Sequence, residues 1–399
     1  MPDGMADRPL RELGGRTPLE AADTPNMDFI AANGICGMAE TFFPELPYDS
    51  SIANMSILGY DPRKYFTGRA PLEAANLGVK LGEGDIALRC NLVTVEDGRI
   101  ADFTADHIGM VEARQLMSSI SMKVGREGVE FYPGVSYRNV LVVRSSLKPS
   151  LKFSAKQPHD IVGEPVAENR IKAESKEAED TARLLNALMD DAVPMLREHL
   201  INRNKVKAGR RPANWIWLWG AGSKPEMPPF RKKFGMGGSI VSAVDLLNGL
   251  GKTIGLKVLK VEGATGYLDT NYEGKTDAAL DSLEDVNFTY IHLESTDEAG
   301  HEGSVEHKIR AIEDIDKRVL GRMLKRLRRN YAIMLMPDHP TPIEVRKHTS
   351  EPVPYAIYDT GKPGDSVKSF SEREIREKGS QPLTQAFNLM TKLTGVTAP

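Results

Sequence analysis

Two acid–histidine motifs in this chain have the residue types and the spacing of metal ligands. Asp297 and His301 are four residues apart, so on a helical turn their side chains lie on one face, close enough to chelate one ion. Asp338 and His339 are adjacent and follow the apolar segment 331–336. Because open α/β folds place their chemistry where strands end, we expect the second motif at the carboxyl edge of a sheet.

A third cluster, at His348, gives these motifs a further partner. With Asp297 and His301 it makes two imidazoles and one carboxylate, a set that favours Mn, Zn, Fe or Co over Mg. Together the clusters supply enough ligands for two metal ions, as in phosphoryl-transfer enzymes. The alternative for each residue alone is structural: Asp297 caps a helix, His301 is a solvated surface residue, and Asp338 and His339 only end a strand.

Two adjacent serines, Ser50 and Ser51, supply a candidate nucleophile. They precede a helical stretch at 52–58. A serine at a helix N-terminus meets free backbone N–H groups and a favourable dipole, both suited to a phosphate. The alternative is an ordinary N-cap serine.

Length and composition bound the class of protein. The 399 residues exceed one ordinary domain, so we expect two domains or one with a large insertion. The net charge of −3 gives no general attraction to nucleic acid or to an anionic membrane, and basic residues are therefore expected to act locally on a small anion. Two cysteines fit a reducing compartment, and no segment has the roughly 20 apolar residues of a membrane span. We predict a soluble, cytoplasmic protein.

The elements that must position these residues alternate along the chain. Strands are predicted at 214–219, 256–261, 287–293 and 331–336, and helices at 239–250, 275–283 and 304–328. This alternation predicts an α/β fold with a mostly parallel main sheet flanked by helices. Another helix is predicted from Thr24, as N-cap, to Gly34, as its C-terminal stop.

A change in the sequence pattern indicates a second domain. Beyond residue 85 the segments become β-branched and alternating, which indicates a separate sheet-containing unit. The amphipathic helix at 172–200 is predicted to carry the chain back to the first domain. We therefore expect an inserted, smaller α/β domain at 86–174 between the two parts of the main domain, 1–85 and 175–399.

Eight stretches, spread in order over nearly the whole chain, carry a resemblance to a known family: 3–9, 17–27, 53–62, 68–73, 158–163, 263–271, 297–303 and 337–342. They closely resemble the archaeal-type 2,3-bisphosphoglycerate-independent phosphoglycerate mutases of the alkaline phosphatase superfamily. The resemblance implies a metal-dependent phosphatase-like domain, interrupted by a smaller domain that closes over the substrate.

The resemblance also implies a ligand set. Asp297, His301 and His348 look like the ligands of one metal ion. The ligands of the other are expected to be Asp3, Ser50, Asp338 and His339. Manganese is the expected ion, with Zn, Co or Mg as alternatives, and no 2,3-bisphosphoglycerate is required.

The implied reaction is the glycolytic and gluconeogenic interconversion of 3-phosphoglycerate and 2-phosphoglycerate through a phosphoserine on Ser50. The substrate is a small phosphorylated three-carbon acid, without a nucleic-acid or membrane partner, and the sequence leaves the oligomeric state open. Its carboxylate and phosphate call for charged donors, and the candidates are Arg69, Arg89, Arg138, His159, Asp160 and Lys224. Two alternatives are a metal-dependent phosphomonoesterase and a truncated, inactive relative that acts as a binding or structural protein.

Two departures from the family stand out. Relatives carry an apolar first strand of about eight residues, a normal strand length, whereas here only Met1 and Pro2 precede Asp3. We therefore expect the first strand to be missing, with the true start upstream or the chain truncated, and Asp3 to be poorly held. In the nucleophile loop Asp49 replaces a glycine, where its tolerance of left-handed backbone would preserve the turn. Ser51 replaces the usual acid and stays open as the nucleophile.

Overall fold

The computed structural model describes residues 1–328, 330–365 and 367–396. The chain divides into two compact units, the first made of Met1–Phe66 and Met227–Pro399 and the second of Thr67–Glu226. Within the described residues no helix has the length and apolar character needed to cross a membrane.

The strands are given in chain order: β1 (Gly34–Glu40), β2 (Ile86–Glu96), β3 (Arg99–Asp102), β4 (Val129–Val135), β5 (Arg138–Val143), β6 (Phe153–Ser154), β7 (Lys172–Ala173), β8 (Trp215–Ser223), β9 (Gly238–Val241), β10 (Lys257–Leu259), β11 (Phe288–Ile291), β12 (Ala332–Leu335), β13 (Val353–Asp359) and β14 (Thr384–Gln385).

The helices follow in the same order: α1 (Pro18–Ala21), α2 (Pro25–Asn33), α3 (Ser50–Ile57), α4 (Pro62–Tyr65), α5 (Arg69–Asn76), α6 (Met110–Lys123), α7 (Glu179–Glu198), α8 (Leu200–Lys207), α9 (Phe230–Phe234), α10 (Asp245–Thr253), α11 (Tyr272–Ser282), α12 (Ser295–Glu302), α13 (Val305–Asp314), α14 (Gly321–Arg326), α15 (Glu372–Lys378) and α16 (Leu389–Thr394). A π-helical segment, Ile315–Leu320, joins α13 to α14.

The first unit contains two different sheets. One is parallel, with strand order β10-β9-β11. The other has the order β12-β13-β1-β14 and is antiparallel except for the pairing of β1 with β14. The expected mostly parallel main sheet is therefore wrong for this second sheet, because β12 and β13 are joined by a chain reversal rather than by a crossover helix.

Strand β1 was not predicted. Gly34 was expected to stop a helix, and helix α2 does end at Asn33, but the next seven residues form a strand that pairs with β13. Its sequence, Gly-Ile-Cys-Gly-Met-Ala-Glu, lacks the β-branched alternation by which strands are recognised. Tertiary pairing determines this element.

The first three residues are held against the end of β11. Pro2 forms a parallel bridge with Leu293, the Asp3 amide donates to the Leu293 carbonyl at 2.8 Å, and the Leu293 amide donates to the Met1 carbonyl at 3.1 Å. Asp3 is 2% exposed. The expectation that Asp3 would be poorly held is therefore wrong, because these backbone hydrogen bonds tie the chain to the sheet.

The second unit is built on β2. Its sheet has the order β3-β2-β5-β4, and β8 pairs with the other edge of β2 in antiparallel register. Helix α7 buries Leu185, Leu188 and Leu196 in one core with β2 and β8. The segment predicted as a main-sheet strand at 214–219 thus belongs to this unit, as does the helix predicted to return to the first domain.

Candidate metal and nucleophile site

One ligand group lies at the start of α12. Asp297 and His301 are one turn apart on this helix, and the His301 Nε2 to Asp297 Oδ2 distance is 3.1 Å. His348 approaches from a loop, with its Nε2 3.5 Å from Asp297 Oδ1 and 3.2 Å from His301 Nε2. The structure thus brings together the three residues that the spacing argument selected.

A second group shares Asp297 with the first. It consists of Asp3, Asp297 and His339, whose ligand atoms lie within 4.8 Å of one another. Asp338, which was expected in this group, is fully buried beside it, with its Oδ2 3.5 Å from His339 Nε2. The Asp338 carboxylate accepts hydrogen bonds from the Gly4 amide at 3.0 Å and from Asn54 Nδ2 at 2.8 Å.

The electrostatics of these groups fit bound cations. Burial and the neighbouring charges of Asp338 and Asp297 raise the pKa of Asp3 well above its usual range. Asp3 Oδ1 is buried, lies 3.3 Å from His339 Nε2 and makes no hydrogen bond to any residue that the structure describes, although such atoms are normally paired. A divalent ion would satisfy this atom and neutralise the crowded carboxylates, and the mixed nitrogen and oxygen donors suit Mn, Zn, Fe or Co.

The first group is arranged around an ionised carboxylate. Burial of Asp297 opposes ionisation, but hydrogen bonds from His301 and His348 outweigh it and hold the pKa of Asp297 well below its usual range. The same hydrogen bond to Asp297 raises the pKa of His301 to about 9. Because a metal ligand must be deprotonated, an ion in this group would displace a proton from His301.

The two candidate nucleophiles differ in their surroundings. Ser50, the first residue of α3, is half-buried, and its Oγ lies 3.3 Å from His339 Nε2. Ser51 is fully buried, and its hydroxyl and amide both donate to Asp49 Oδ1. The Ser50 hydroxyl therefore reaches the ligand groups, whereas the Ser51 hydroxyl completes a helix cap.

The N-cap residue Asp49 corrects one detail of the sequence argument. It was expected to occupy the left-handed region in place of a glycine, but its φ of −129° and ψ of 136° are extended. The turn needs no left-handed residue here, because the Asp49 carboxylate closes it by capping α3.

Three buried polar residues that sequence reasoning missed hold the ligands in place. His292 Nε2 lies 2.7 Å from Asp3 Oδ2, and Thr341 donates to Asp297 Oδ1. Asn54 donates from Nδ2 to the Ser50 carbonyl and to Asp338, and accepts from the Tyr290 hydroxyl. The sequence does contain a signal for His292, because it directly follows the apolar strand β11, and polar residues at strand ends were the basis for selecting Asp338 and His339.

The second unit contains all six predicted substrate residues. Arg89 is 6% exposed, and burial lowers its pKa to about 10, with further lowering by Arg69 and Arg138 and opposition from Glu73. Burial lowers the pKa of His159, with opposition from Asp160 and further lowering by Arg89 and Arg69. The three arginines and His159 therefore form one cluster. Asp160 lies beside His159, at 3.8 Å, whereas Lys224 is exposed just after β8.

The chain is similar along its whole length to proteins of one family. A family profile described as 2,3-bisphosphoglycerate-independent phosphoglycerate mutase matches residues 31–202. The protein of that name from Methanosarcina barkeri is 46% identical over 392 residues, which cover 97% of this chain and 96% of the relative. The one from Methanothrix thermoacetophila is 48% identical over 380 residues, 94% of each chain.

Two solved structures are similar to this chain over nearly its whole length. The cofactor-independent phosphoglycerate mutase from Thermoplasma acidophilum matches with a TM-score of 0.70 and 31% identity, over 98% of this chain and 97% of that one. The PH0037 protein from Pyrococcus horikoshii matches with a TM-score of 0.82 and 29% identity, over 100% and 97%.

Proposed function

The chain belongs to the family of 2,3-bisphosphoglycerate-independent phosphoglycerate mutases, and from this premise we propose how its residues interconvert 3-phosphoglycerate and 2-phosphoglycerate. The protein is an isomerase, and the names of its relatives favour this activity over the hydrolase and the inactive binding protein. The observation that carries the mechanism is the Ser50 hydroxyl, 3.3 Å from His339 Nε2.

We propose that the two ligand groups hold two divalent ions, with manganese the first choice. Asp297, His301 and His348 would hold one, and Asp3, Asp338, His339 and Ser50 the other, with Asp297 placed next to both. Bound there, the ions supply charge neutralisation for the phosphoryl oxygens and lower the pKa of the serine hydroxyl. We also place the chain in the alkaline phosphatase superfamily, because Asp297 and His301 follow the end of β11, and Asp338 and His339 follow the end of β12.

Ser50 carries the phosphoryl group between two oxygens of the substrate. Its Oγ attacks the phosphorus of 3-phosphoglycerate, the bond from phosphorus to the 3-oxygen breaks, and the serine proton passes to that oxygen. After the glycerate turns, its 2-oxygen attacks the phosphoserine, and the 2-hydroxyl proton returns to Ser50. Every bond broken in the first transfer is matched by one formed in the second, so no external phosphoryl donor is needed.

The α3 N-terminus assists this exchange. Free N–H groups of the first helical turn and the helix dipole favour a negatively charged phosphoryl group at Ser50. Asn54 fixes the Ser50 carbonyl and Asp338 with one side-chain amide, at 2.8 Å from each. The serine is therefore oriented before the substrate arrives.

The second unit is proposed to bind the anionic groups of the substrate. Its cluster of Arg69, Arg89, Arg138 and His159 carries positive charge that Glu73, near Arg89, only partly balances. Forked guanidinium groups match the carboxylate and the phosphate of phosphoglycerate. The substrate-closing role predicted for the inserted domain is part of this proposal, because a phosphoserine open to water would be hydrolysed.

A pair of adjacent serine variants tests the mechanism. We expect Ser50→Ala to abolish interconversion and Ser51→Ala to keep it within about tenfold of wild type. The Ser51→Ala variant loses one side-chain hydrogen bond to Asp49, worth about 1 kcal/mol, while the Ser51 amide still donates to the Asp49 cap. Manganese content, measured by elemental analysis, and the thermal unfolding curve check that both variants are folded and loaded. An active Ser50→Ala enzyme with normal metal content would overturn the proposal.

A further inference from the structure

The side chain of Trp219 lies between two of the predicted substrate-binding groups. Trp219 on β8 is opposite Arg89 on β2 in the strand register. The guanidinium carbon of Arg89 lies 4.3 Å from the centroid of the indole ring. Trp219 is 3% exposed, and its Nε1 donates to Asn91 Oδ1 at 3.1 Å. The ring is thus fixed at its edge and presents a face to a buried cation.

A β-bulge aims this ring. The register runs from Ala87 opposite Gly222 to Arg89 opposite Trp219, so β8 contains one extra residue. Gly220 takes a φ of +62°, and a Cβ at this position would meet the Arg89 side chain at 3.5 Å. Bulges redirect side chains and are frequent beside active sites. The distance of 3.5 Å is ordinary van der Waals contact, so it is the left-handed backbone of the bulge that favours glycine at this position.

His159 contacts the same indole. Its ring lies 5.7 Å from that of Trp219 in an edge-on arrangement, and 5.8 Å from that of Phe103 on another side. The side chain of His159 is 42% exposed to solvent, so a ligand can reach it. Aromatic contacts of this kind favour one orientation of each ring. Trp219 therefore sets the direction of both Arg89 and His159.

One ion pair also acts on the Arg89 side chain. Its Nε lies 3.1 Å from Glu73 Oε2, and both side chains are largely buried. Burial lowers the pKa of Arg89, Glu73 opposes this, and Arg69 and Arg138 lower the pKa further, so an added anion is favoured beside these arginines. The indole of Trp219 adds a flat contact surface for the guanidinium to the attraction of Glu73.

We propose that Trp219 is a positioning residue for substrate binding: its indole orients Arg89 and His159 to receive an anionic group of phosphoglycerate. This inference rests on the function proposed above. A pre-oriented guanidinium loses less conformational freedom on binding than a mobile one, so the effect falls on substrate affinity. Trp219 takes no part in the phosphoryl transfer at Ser50.

The test compares Trp219→Leu and Trp219→Phe in the full-length enzyme. A cation stacked on a desolvated ring contributes about 1–2 kcal/mol, so we expect Trp219→Leu to raise KM for 3-phosphoglycerate about tenfold with kcat changed much less. Trp219→Phe retains an aromatic face and should recover most of the affinity. The matched control is Trp215→Phe on the same strand, since the Trp215 Nε1 makes no hydrogen bond within the described part of the chain; this variant should behave as wild type.

Binding without turnover gives a second measurement. Isothermal titration of 3-phosphoglycerate into Ser50→Ala and into the Ser50→Ala, Trp219→Leu double variant should show the same loss of affinity. Equal affinities, or a KM of Trp219→Leu within twofold of wild type in a folded protein, would overturn the inference.

If Trp219→Leu does not fold, Phe103→Leu tests whether aromatic contacts orient His159. Phe103 is half-buried and contacts His159 from another side. Its KM should rise, and an unchanged KM would count against the inference. Failure of the proposed function has a different signature, since the wild-type enzyme would then form no 2-phosphoglycerate at all.

Discussion

The ligand residues depend on buried partners that are not ligands themselves. His292 is fully buried, and its ring is fixed at both nitrogens: Nε2 lies 2.7 Å from Asp3 Oδ2 and Nδ1 lies 3.0 Å from the Ser242 hydroxyl. Such outer partners orient a metal-binding carboxylate and raise its affinity for the ion. One oxygen of Asp3 is thus hydrogen-bonded to His292, and the other faces His339, the second proposed ligand of the same ion.

Replacing His292 should therefore weaken metal binding. We expect His292→Asn to reduce the affinity for Mn²⁺ about 10- to 100-fold, measured by equilibrium dialysis. His107→Asn is the matched control, because His107 is exposed and has a φ of 46°, a conformation that asparagine tolerates. Wild-type affinity in His292→Asn would show that this histidine does not support Asp3.

Glu372 gives a pH dependence to stability. Burial raises its pKa from the ordinary 4.5 to about 7, against hydrogen bonds from Thr17 and the Asp7 amide. The folded state therefore favours the protonated acid. Below pH 4.5 both states are protonated and there is no penalty; as the pH rises toward 7 the unfolded chain ionises first, and folding loses about 3 kcal/mol in total.

The variant Glu372→Gln should remove this loss. Between pH 5 and pH 8, the free energy of urea unfolding should fall by about 2.5 kcal/mol less in this variant than in wild type. Glu377→Gln, exposed on the same helix, serves as control and should keep the wild-type slope. Parallel pH profiles for Glu372→Gln and wild type would contradict the assignment.

Some of the site was readable from single residues. The spacing of Asp297 and His301 is local, so it predicted their contact, and His339 was predicted because it follows an apolar strand. The choice between Ser50 and Ser51 was not readable, because it depends on which hydroxyl Asp49 binds. Asp297 belongs to both ligand groups. The sequence could not show this, because it depends on how the segments carrying Asp3 and His339 fold next to Asp297.

Helix α13 contacts two segments of the site, the N-terminal segment and the segment after β12. Lys308 Nζ donates to Asp7 Oδ2 at 2.7 Å and to the Thr341 carbonyl at 2.8 Å, and both charged side chains are fully buried. Asp7 lies four residues after Asp3, and Thr341 two residues after His339. One helix therefore fixes the N-terminal segment and the segment after β12 relative to each other.

Breaking this ion pair from one side should be costly. We expect Lys308→Met to lower the free energy of unfolding by about 3–5 kcal/mol, because Asp7 would remain buried and uncompensated. The double variant Asp7→Asn, Lys308→Met removes both charges and should recover part of the loss. Urea unfolding measures all three proteins, and a single variant as stable as the double one would refute the pairing.

Helices and strands were predicted correctly where the local sequence pattern determines them. They were missed where pairing with a distant strand determines them. The strand leading to Asp338 was predicted from an apolar run, and β12 covers Ala332–Leu335. The glycine-rich β1 was missed, since its partner β13 lies more than 300 residues away in sequence. The long helix predicted at 304–328 contains a π-helical segment that buries Asp316 as a cap for α2, which periodicity does not reveal.

At the scale of the whole molecule, the sequence predicted two units but placed their borders differently. The inserted domain was expected at 86–174, whereas the compact second unit is Thr67–Glu226. Ala70 and Ala74 of α5 pack on Ala87 and Val140 of its sheet, and α7 packs on the same core. A change in local sequence pattern does not reveal this long-range packing, so it could not place the borders of the unit.

Metal binding should stabilise the folded protein as a whole. An ion that binds only the native state adds about 2.7 kcal/mol at 100 times its Kd, so Mn²⁺ should raise Tm and chelation should lower it. Asp297→Asn, which removes the residue common to both ligand groups, should abolish most of the shift in a differential scanning experiment. An equal shift in this variant would place the bound Mn²⁺ elsewhere.

The most direct measurement is the position of the phosphoryl group on the enzyme during turnover. Enzyme incubated with 3-phosphoglycerate, quenched in acid and digested for peptide mass analysis should carry one phosphoryl group on Ser50, and Ser51→Ala enzyme should carry it at the same place. A phosphoryl group on Ser51, or none on either serine in an actively turning-over sample, would contradict the account.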